Sequence, residues 1–240
     1  MSIDKIKLGD NEYLVVDLTQ PLPLNAEVYP GDPKPERRLF SDIDKTGWHH
    51  YIHVIGDHVF QPHVDGPNHQ NPQLKSQGVE TFGIDFCFND AFLMDLSTSS
   101  ESQTVRSINY LLEVKKKHLK PFVELFSQKS AVLIRTGYDK WLEANNPHQP
   151  ENLPYLSKEA AEFIASFPNI KVVGIDSLSV DPAKSHVAHQ ELKRVMIVES
   201  LVHLNEIPQE HRLNFSLQTS PIKIIGATGG PVVVYAFIKS

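Results

Sequence analysis

Twelve histidines mark this 240-residue chain, and many of them stand in two segments where residue type and spacing could do chemistry. The first is His58-Val59-Phe60-Gln61-Pro62-His63-Val64-Asp65-Gly66-Pro67-Asn68-His69, with three imidazoles and one carboxylate. Its two prolines and its glycine break regular structure, so it reads as a shaped loop at a strand end. If the backbone is extended from His63 to Asp65, the i, i+2 spacing points both side chains to one face. Imidazole nitrogen and carboxylate oxygen are donors that Zn²⁺ and Mn²⁺ accept. A polar loop with unrelated histidines is the plain alternative, and the density of imidazoles beside Asp65 weighs against it. The second segment is Asp176-Ser177-Leu178-Ser179-Val180-Asp181-Pro182, followed by His186, His189 and Glu199. Asp176 and Glu199 each end an apolar run, Val172–Ile175 and Val195–Val198. In α/β sheets, ligands gather beyond such carboxyl ends, and a carboxylate there is costly unless a cation meets it. Together the segments supply ligands for one or two metals.

Other chemistries are poorly supported. Ser177 and Ser179 lack the G-x-S-x-G elbow of a serine hydrolase. Gly226-Ala227-Thr228-Gly229-Gly230-Pro231 lacks the Lys-Ser/Thr of a phosphate loop and reads as a tight turn between two strands. The single cysteine, Cys87, excludes a disulfide framework and a Cys-rich zinc site; among Phe82, Phe86, Phe88 and Phe92 it reads as an apolar filler. With 23 Lys+Arg against 29 Asp+Glu, net charge −6, the chain is a poor partner for nucleic acid or an anionic membrane. The absence of an apolar leader or a spanning run points to a soluble cytoplasmic protein.

The elements that must position these residues are mostly strands. Tyr13–Leu18, Arg37–Phe40, His50–Ile55, Ala91–Leu96, Ala131–Thr136, Lys171–Asp176, Val195–Glu199, Leu213–Gln218, Pro221–Gly226 and Val232–Ile238 have strand length and composition. Helices are expected over Ser107–Leu119, Gly137–Asn145, Ser157–Phe167 and Val187–Arg194, the third opened by a Ser157 cap with Glu159 in its first turn. The centre alternates strand and helix as βαβ units do, and the flanks look antiparallel. One α/β domain over residues 1–240 is expected. The apolar runs Ala131–Ile134 and Val232–Val234 suit strands covered on both faces.

The order of these segments resembles the cyclase-like metal-dependent hydrolases, a family that includes bacterial kynurenine formamidases and isatin hydrolases. The opening is carried by Asp17-Leu18-Thr19-Gln20-Pro21-Leu22 and Val28-Tyr29-Pro30-Gly31-Asp32. His63-x-Asp65-x-Pro67-x-His69 matches the second half of the signature H-x-G-T-H-x-D-x-P-x-H. Val132–Gly137, Pro154–Ser157, Gly174–Asp181 and Gly226–Pro231 follow in order. The resemblance implies a compact layered α/β domain of the swivelling β/β/α type with a mixed sheet, in a homodimer or homotetramer. It implies that His63, Asp65, His189 and Glu199 ligate one or two divalent ions, Zn²⁺ ahead of Mn²⁺, with Asp65 able to bridge. It makes His69 the general acid/base, outside the coordination sphere, and Tyr29 a substrate contact at the site mouth. The chain departs from the signature at Gln61-Pro62, where the family has Gly-Thr. Its first histidine would fall at Val59, so His58 serves as that ligand only across a one-residue insertion.

The chemistry implied is hydrolysis of a small amide, either an aryl formamide such as N-formylkynurenine or a cyclic amide. Metal lowers the pKa of water toward ~7, and His69, titrating near neutrality, moves a proton to the leaving nitrogen. The rival readings are a related hydrolase with an unrelated small substrate, and an inactive family member that binds metal or a small molecule.

Overall fold

Apolar runs become strands where a sheet can bury at least one of their faces. A computed structural model describes residues 3–24, 28, 32–59, 61–144 and 152–239, and in it nine strands form one mixed sheet. Their order is Ile3–Leu8, Asn11–Asp17, Gly229–Lys239, Phe215–Pro221, Phe88–Asp95, Ala131–Arg135, Val172–Ile175, Met196–Glu199 and His63–Asp65. The last strand also pairs with Gly229–Pro231, which curls the sheet back on itself. The four strands from Phe88–Asp95 to Met196–Glu199 are mutually parallel. The flanks are antiparallel, as expected.

Alternation along the central strands divides the core in two. Ala131 and Leu133 pack with Val64, Val198, Val232 and Val234 inside the curl. Val132 and Ile134 pack outward, under helical segments that contribute Leu119, Phe126, Ala161, Ile164 and Leu192. Both faces are covered, so an uninterrupted apolar run is stable there. Gly174 is required at its position, because a Cβ would stand 2.5 Å from Leu133 Cδ2 and 2.7 Å from Leu201 Cδ1. The helix Lys158–Ala165 starts where its sequence says, with the Ser157 hydroxyl accepting from the Ala160 N–H at 3.2 Å.

Three expectations fail for local reasons. Ser107–Leu119 is not one helix: Arg106 and Ser107 take positive φ and turn a hairpin between Gln103–Val105 and Ile108–Tyr110, and only Lys116–Leu119 is α-helical. Its apolar spacing instead divides Tyr110 and Leu111 between two packing clusters. Pro221–Gly226 is not a strand: pairing stops at Pro221, and Ile222, Ile224 and Ile225 project into solvent. The C-terminal strand is covered on one face only, with Val232 and Val234 buried while Val233 is 47 % exposed. Among the described residues, no helix is long and apolar enough to cross a membrane.

Candidate metal centre

Strand register assembles the site. His63–Asp65 is not a loop but a fully buried strand, held between Met196–Glu199 and Gly229–Pro231. His63 lies opposite Glu199 and Asp65 opposite Ile197. The i, i+2 spacing therefore turns His63 and Asp65 to the face that Glu199 shares. Pro62 has no N–H to give, but its carbonyl accepts from the Val232 N–H at 3.1 Å. His189 comes from the short helix Val187–Glu191.

The donor atoms converge. His63 Nε2 lies 3.6 Å from Asp65 Oδ1 and 3.4 Å from Glu199 Oε2. His189 Nε2 lies 2.9 Å from Asp65 Oδ2 and 3.6 Å from Glu199 Oε1. Two overlapping groups, His63/Asp65/Glu199 and His58/Asp65/His69, each bring one ligand atom per residue within 4.8 Å of the others. Asp65 is common to both.

The far nitrogens are fixed from outside. His63 Nδ1–H donates to the Gln61 carbonyl at 2.9 Å, and His189 Nδ1–H donates to Asp181 Oδ2 at 2.7 Å. Each bond sets the ring orientation and turns Nε2 into the cluster, as outer-shell acceptors do for metal-binding histidines. Asp181 also accepts the N–H groups of Ala188 and His189, tying it to the start of the same helix.

His58 reaches the site despite its shifted position. Asp57 accepts from the Thr228 N–H and hydroxyl, both at 2.8 Å, which pins this loop to the Gly-rich segment. Gly229 leaves the room: a Cβ there would stand 2.6 Å from His58 Nε2. That segment is thus more than a turn between strands. His58 Nε2 and Asp65 Oδ1 are buried 3.2 Å apart, and among the described residues neither makes a hydrogen bond of good geometry. Buried polar atoms are costly when unpaired, and these two fit a cation as their missing partner. The donor set of imidazoles and carboxylates, with no thiolate, suits Zn²⁺ or Mn²⁺.

His69 stacks over His58, with ring centroids 3.8 Å apart, and stands 5.5 Å from the His189 ring. By distance it belongs to one of the two candidate groups. Hydrogen bonding does distinguish it: the Gln70 side-chain N–H donates to His69 Nε2 at 3.0 Å, occupying that lone pair. His186 Nδ1–H in turn holds Gln70 Oε1 at 2.5 Å. Burial pushes His69 down to about 4, opposed by Asp65 and reinforced by the neighbouring imidazoles, so it is neutral at pH 7 rather than poised near it.

The buried charges balance one another. Burial disfavours the charged form of His63, but the Glu199 hydrogen bond and the Asp65 and Glu199 charges outweigh it and raise the group to about 9. His189 rises to about 10 against the same burial, through Asp181, Asp65 and Glu199. Burial would raise Asp65, yet the His189 hydrogen bond and the adjacent imidazoles hold it well below the usual carboxylate range. Burial and the Asp65 charge raise Glu199. Protons thus do here what a divalent cation could do.

A cavity of about 330 Å³ opens onto this cluster between Leu153, Leu178 and Pro182. A larger cleft of about 490 Å³, by Phe82 and Arg194, touches none of the five ligand candidates, so size alone does not locate the site. All five, His58, His63, Asp65, His189 and Glu199, come together with His69. Tyr29 lies outside the described residues. Asp181 and Gln70 were not singled out as site residues by sequence reasoning, although Asp181 sits inside the second segment. Cys87 is buried and free, with its thiol directed to the Gly83 carbonyl at 3.6 Å, away from the cluster.

A Cyclase family model matches residues 16–182. The chain belongs to the Cyclase family. The match takes in the whole His58–His69 segment and ends just after Asp181. No curated protein matches the chain by sequence. Among solved structures it resembles isatin hydrolase A from Labrenzia aggregata bound to benzyl benzoate, at 19 % identity and TM-score 0.76, covering 94 % of each chain. It also resembles an isatin hydrolase bound to the product analogue thioisatinate, at 21 % identity and TM-score 0.74, covering 94 % of this chain and 92 % of that one. A predicted metal-dependent hydrolase from Bacillus stearothermophilus aligns at 20 % identity and TM-score 0.66, over 93 % and 97 % of the two chains. These likenesses bear out the layered α/β Cyclase fold.

Proposed function

We propose that this Cyclase-family chain is a divalent-metal-dependent hydrolase that opens a small amide, an aryl formamide such as N-formylkynurenine or a cyclic amide such as isatin. The observation that carries the proposal is the buried convergence of His58, His63, Asp65, His189 and Glu199, with two unpartnered polar atoms, at the floor of a cavity of small-molecule size. The solved relatives described as isatin hydrolases and as a metal-dependent hydrolase support it. His63, Asp65, His189 and Glu199 would hold the ion, with His58 completing the set through Asp65. A bound Zn²⁺, or Mn²⁺ as the lesser candidate, supplies Lewis acidity that lowers the pKa of water toward ~7 and polarises a carbonyl.

This chain's own residues do the rest. His69, neutral at pH 7, takes a proton from the attacking water at Nε2 once the Gln70 N–H gives up that lone pair, and returns it to the departing nitrogen. Asp181 and the Gln61 carbonyl hold the two ligand rings in orientation. Leu153, Leu178 and Pro182 exclude water around an apolar substrate body. Tyr29 is assigned to substrate contact on the sequence resemblance alone.

The single buried cysteine suits a reducing cytoplasm. A homo-oligomer covers the ribbon Glu36–Ser41/His50–Val54, where Phe40, Trp48 and Ile52 are exposed; such a two-stranded unit is marginal alone. The test is metal analysis of purified protein, then turnover of N-formylkynurenine and isatin by stripped and Zn²⁺- or Mn²⁺-reloaded enzyme. Metal-restored hydrolysis of either supports the proposal. Fully metallated protein inert toward amides, formamides and lactams overturns it in favour of a binding protein.

A further inference from the structure

The cavity above the cluster is chemically polarised. It is lined by His58, His63, His189 and Glu199 of the ligand set, by Leu153, Leu178, Pro182 and Ala183, and by Lys184. Lys184 is the one lysine or arginine lining the cavity among the described residues, and it makes no ion pair with any of them. Asp32 also lines this cavity, without pairing to Lys184.

The backbone argues that this placement is built. Lys184 sits at φ +65°, a left-handed conformation uncommon for a residue with a side chain. Such conformations persist where the surroundings over-determine them, and they cluster at functional sites. Here the turn is closed by the Ser185 N–H donating to the Pro182 carbonyl at 3.0 Å. It is anchored by Asp181, which accepts the Ser185 hydroxyl at 3.3 Å and the His189 Nδ1–H at 2.7 Å. One carboxylate therefore orients a candidate ligand ring and fixes the turn that carries Lys184.

We infer that Lys184 is a specificity residue that binds the anionic group, a carboxylate, of a small aryl or cyclic amide whose scissile carbonyl faces the ligand set. This rests on the hydrolase reading above and deepens it. An ammonium on a flexible stem meets a carboxylate as a point charge at the rim, in contact with solvent. A partly exposed pair of this kind is worth a modest factor, about 1.5- to 5-fold in affinity.

The test uses Zn²⁺-loaded full-length protein and two aryl formamides, N-formylanthranilate, which carries a carboxylate, and formanilide, which does not. Wild type is expected to favour the acid in kcat/KM. Lys184→Met keeps the backbone type and removes the charge. It should raise KM for the acid about 1.5- to 5-fold, leave kcat nearly unchanged and leave formanilide unaffected, while Lys184→Arg restores the acid. Raising the salt should weaken the acid's advantage in wild type and not in Lys184→Met. Equal turnover of the two substrates by wild type, or equal losses on both in Lys184→Met, overturns the inference. If neither formamide is cleaved, the hydrolase reading fails on these substrates, and calorimetric binding of anthranilate against aniline decides Lys184 separately. Anthranilate binding weakened in Lys184→Met sustains the assignment, and identical binding to both proteins overturns it.

Discussion

Loading the metal should expel about two protons at neutral pH, because His63 and His189 hold extra protons that a cation must displace. Without metal these rings sit at about 9 and about 10, raised by Glu199, Asp65 and Asp181 against the opposing effect of burial. Both are then protonated at pH 7, and a metal accepts only the free Nε2 lone pair. One ion bound by the two rings therefore releases about two protons, and its apparent affinity rises by about 10²-fold from pH 7 to pH 8. The assay is calorimetric titration of Zn²⁺ into chelator-stripped protein, in buffers of equal pH and different ionisation enthalpy. The dependence of the observed heat on buffer counts the protons. A count near zero would refute the reasoning, since it would mean that the rings are already deprotonated or that the ion binds elsewhere. The same groups set the pH stability of the metal-free protein. A histidine raised above its unfolded value of 6.5 contributes stability fully below about pH 6.5 and loses it as pH rises through the folded value. For His63, raised to about 9, that contribution is on the order of 3 kcal/mol. Asp65, held low, acts in the opposite sense, and its contribution is lost as pH falls below the ordinary carboxylate range. Melting curves of stripped protein should thus fall off on both sides of neutrality, with the alkaline loss centred near pH 9–10.

Five substitutions probe the remaining assignments. His63→Ala should lose metal and activity together, whereas His69→Ala should retain most of its metal and lose turnover by about 10²-fold or more; elemental analysis beside kcat separates them. Asp181→Asn removes the charged acceptor of His189 Nδ1–H and should weaken metal affinity by about 10- to 100-fold, measured by competition with a chromogenic chelator. Gly229→Ala places a methyl where it meets His58 Nε2 at 2.6 Å and Val64 O at 2.8 Å, so metal binding should weaken and the melting temperature drop with it. Trp48→Glu puts a charge on the exposed apolar ribbon and should shift sedimentation toward monomer without altering far-UV circular dichroism.

The sequence alone carried the candidate ligands and the division of the sheet. His63 and Asp65 share a face because side-chain direction along an extended backbone has period two, a local property that needs no knowledge of the partner strand. The parallel centre was legible in Ala131–Ile134 and Val172–Ile175 because burial on both faces demands continuous apolar residues. The Ser157 cap was legible because its hydrogen bond spans three residues. Tertiary structure alone decided that His63–Asp65 is a strand, since its ladder partners lie at residues 196–199 and 229–231. It also decided that His58 reaches Asp65 across the altered loop, through the Asp57–Thr228 bonds and the space at Gly229. The helical spacing of Ile108, Leu111 and Leu112 was misleading, because those side chains pack into separate clusters once Arg106 and Ser107 turn the chain. The protonation of the site belongs wholly to the fold: the pKa of an imidazole depends on which carboxylates stand within a few ångströms and how far water is excluded. The pairs His63–Glu199, His189–Asp65 and His69–His189 join segments more than a hundred residues apart, while Asp181 stands only eight residues from His189.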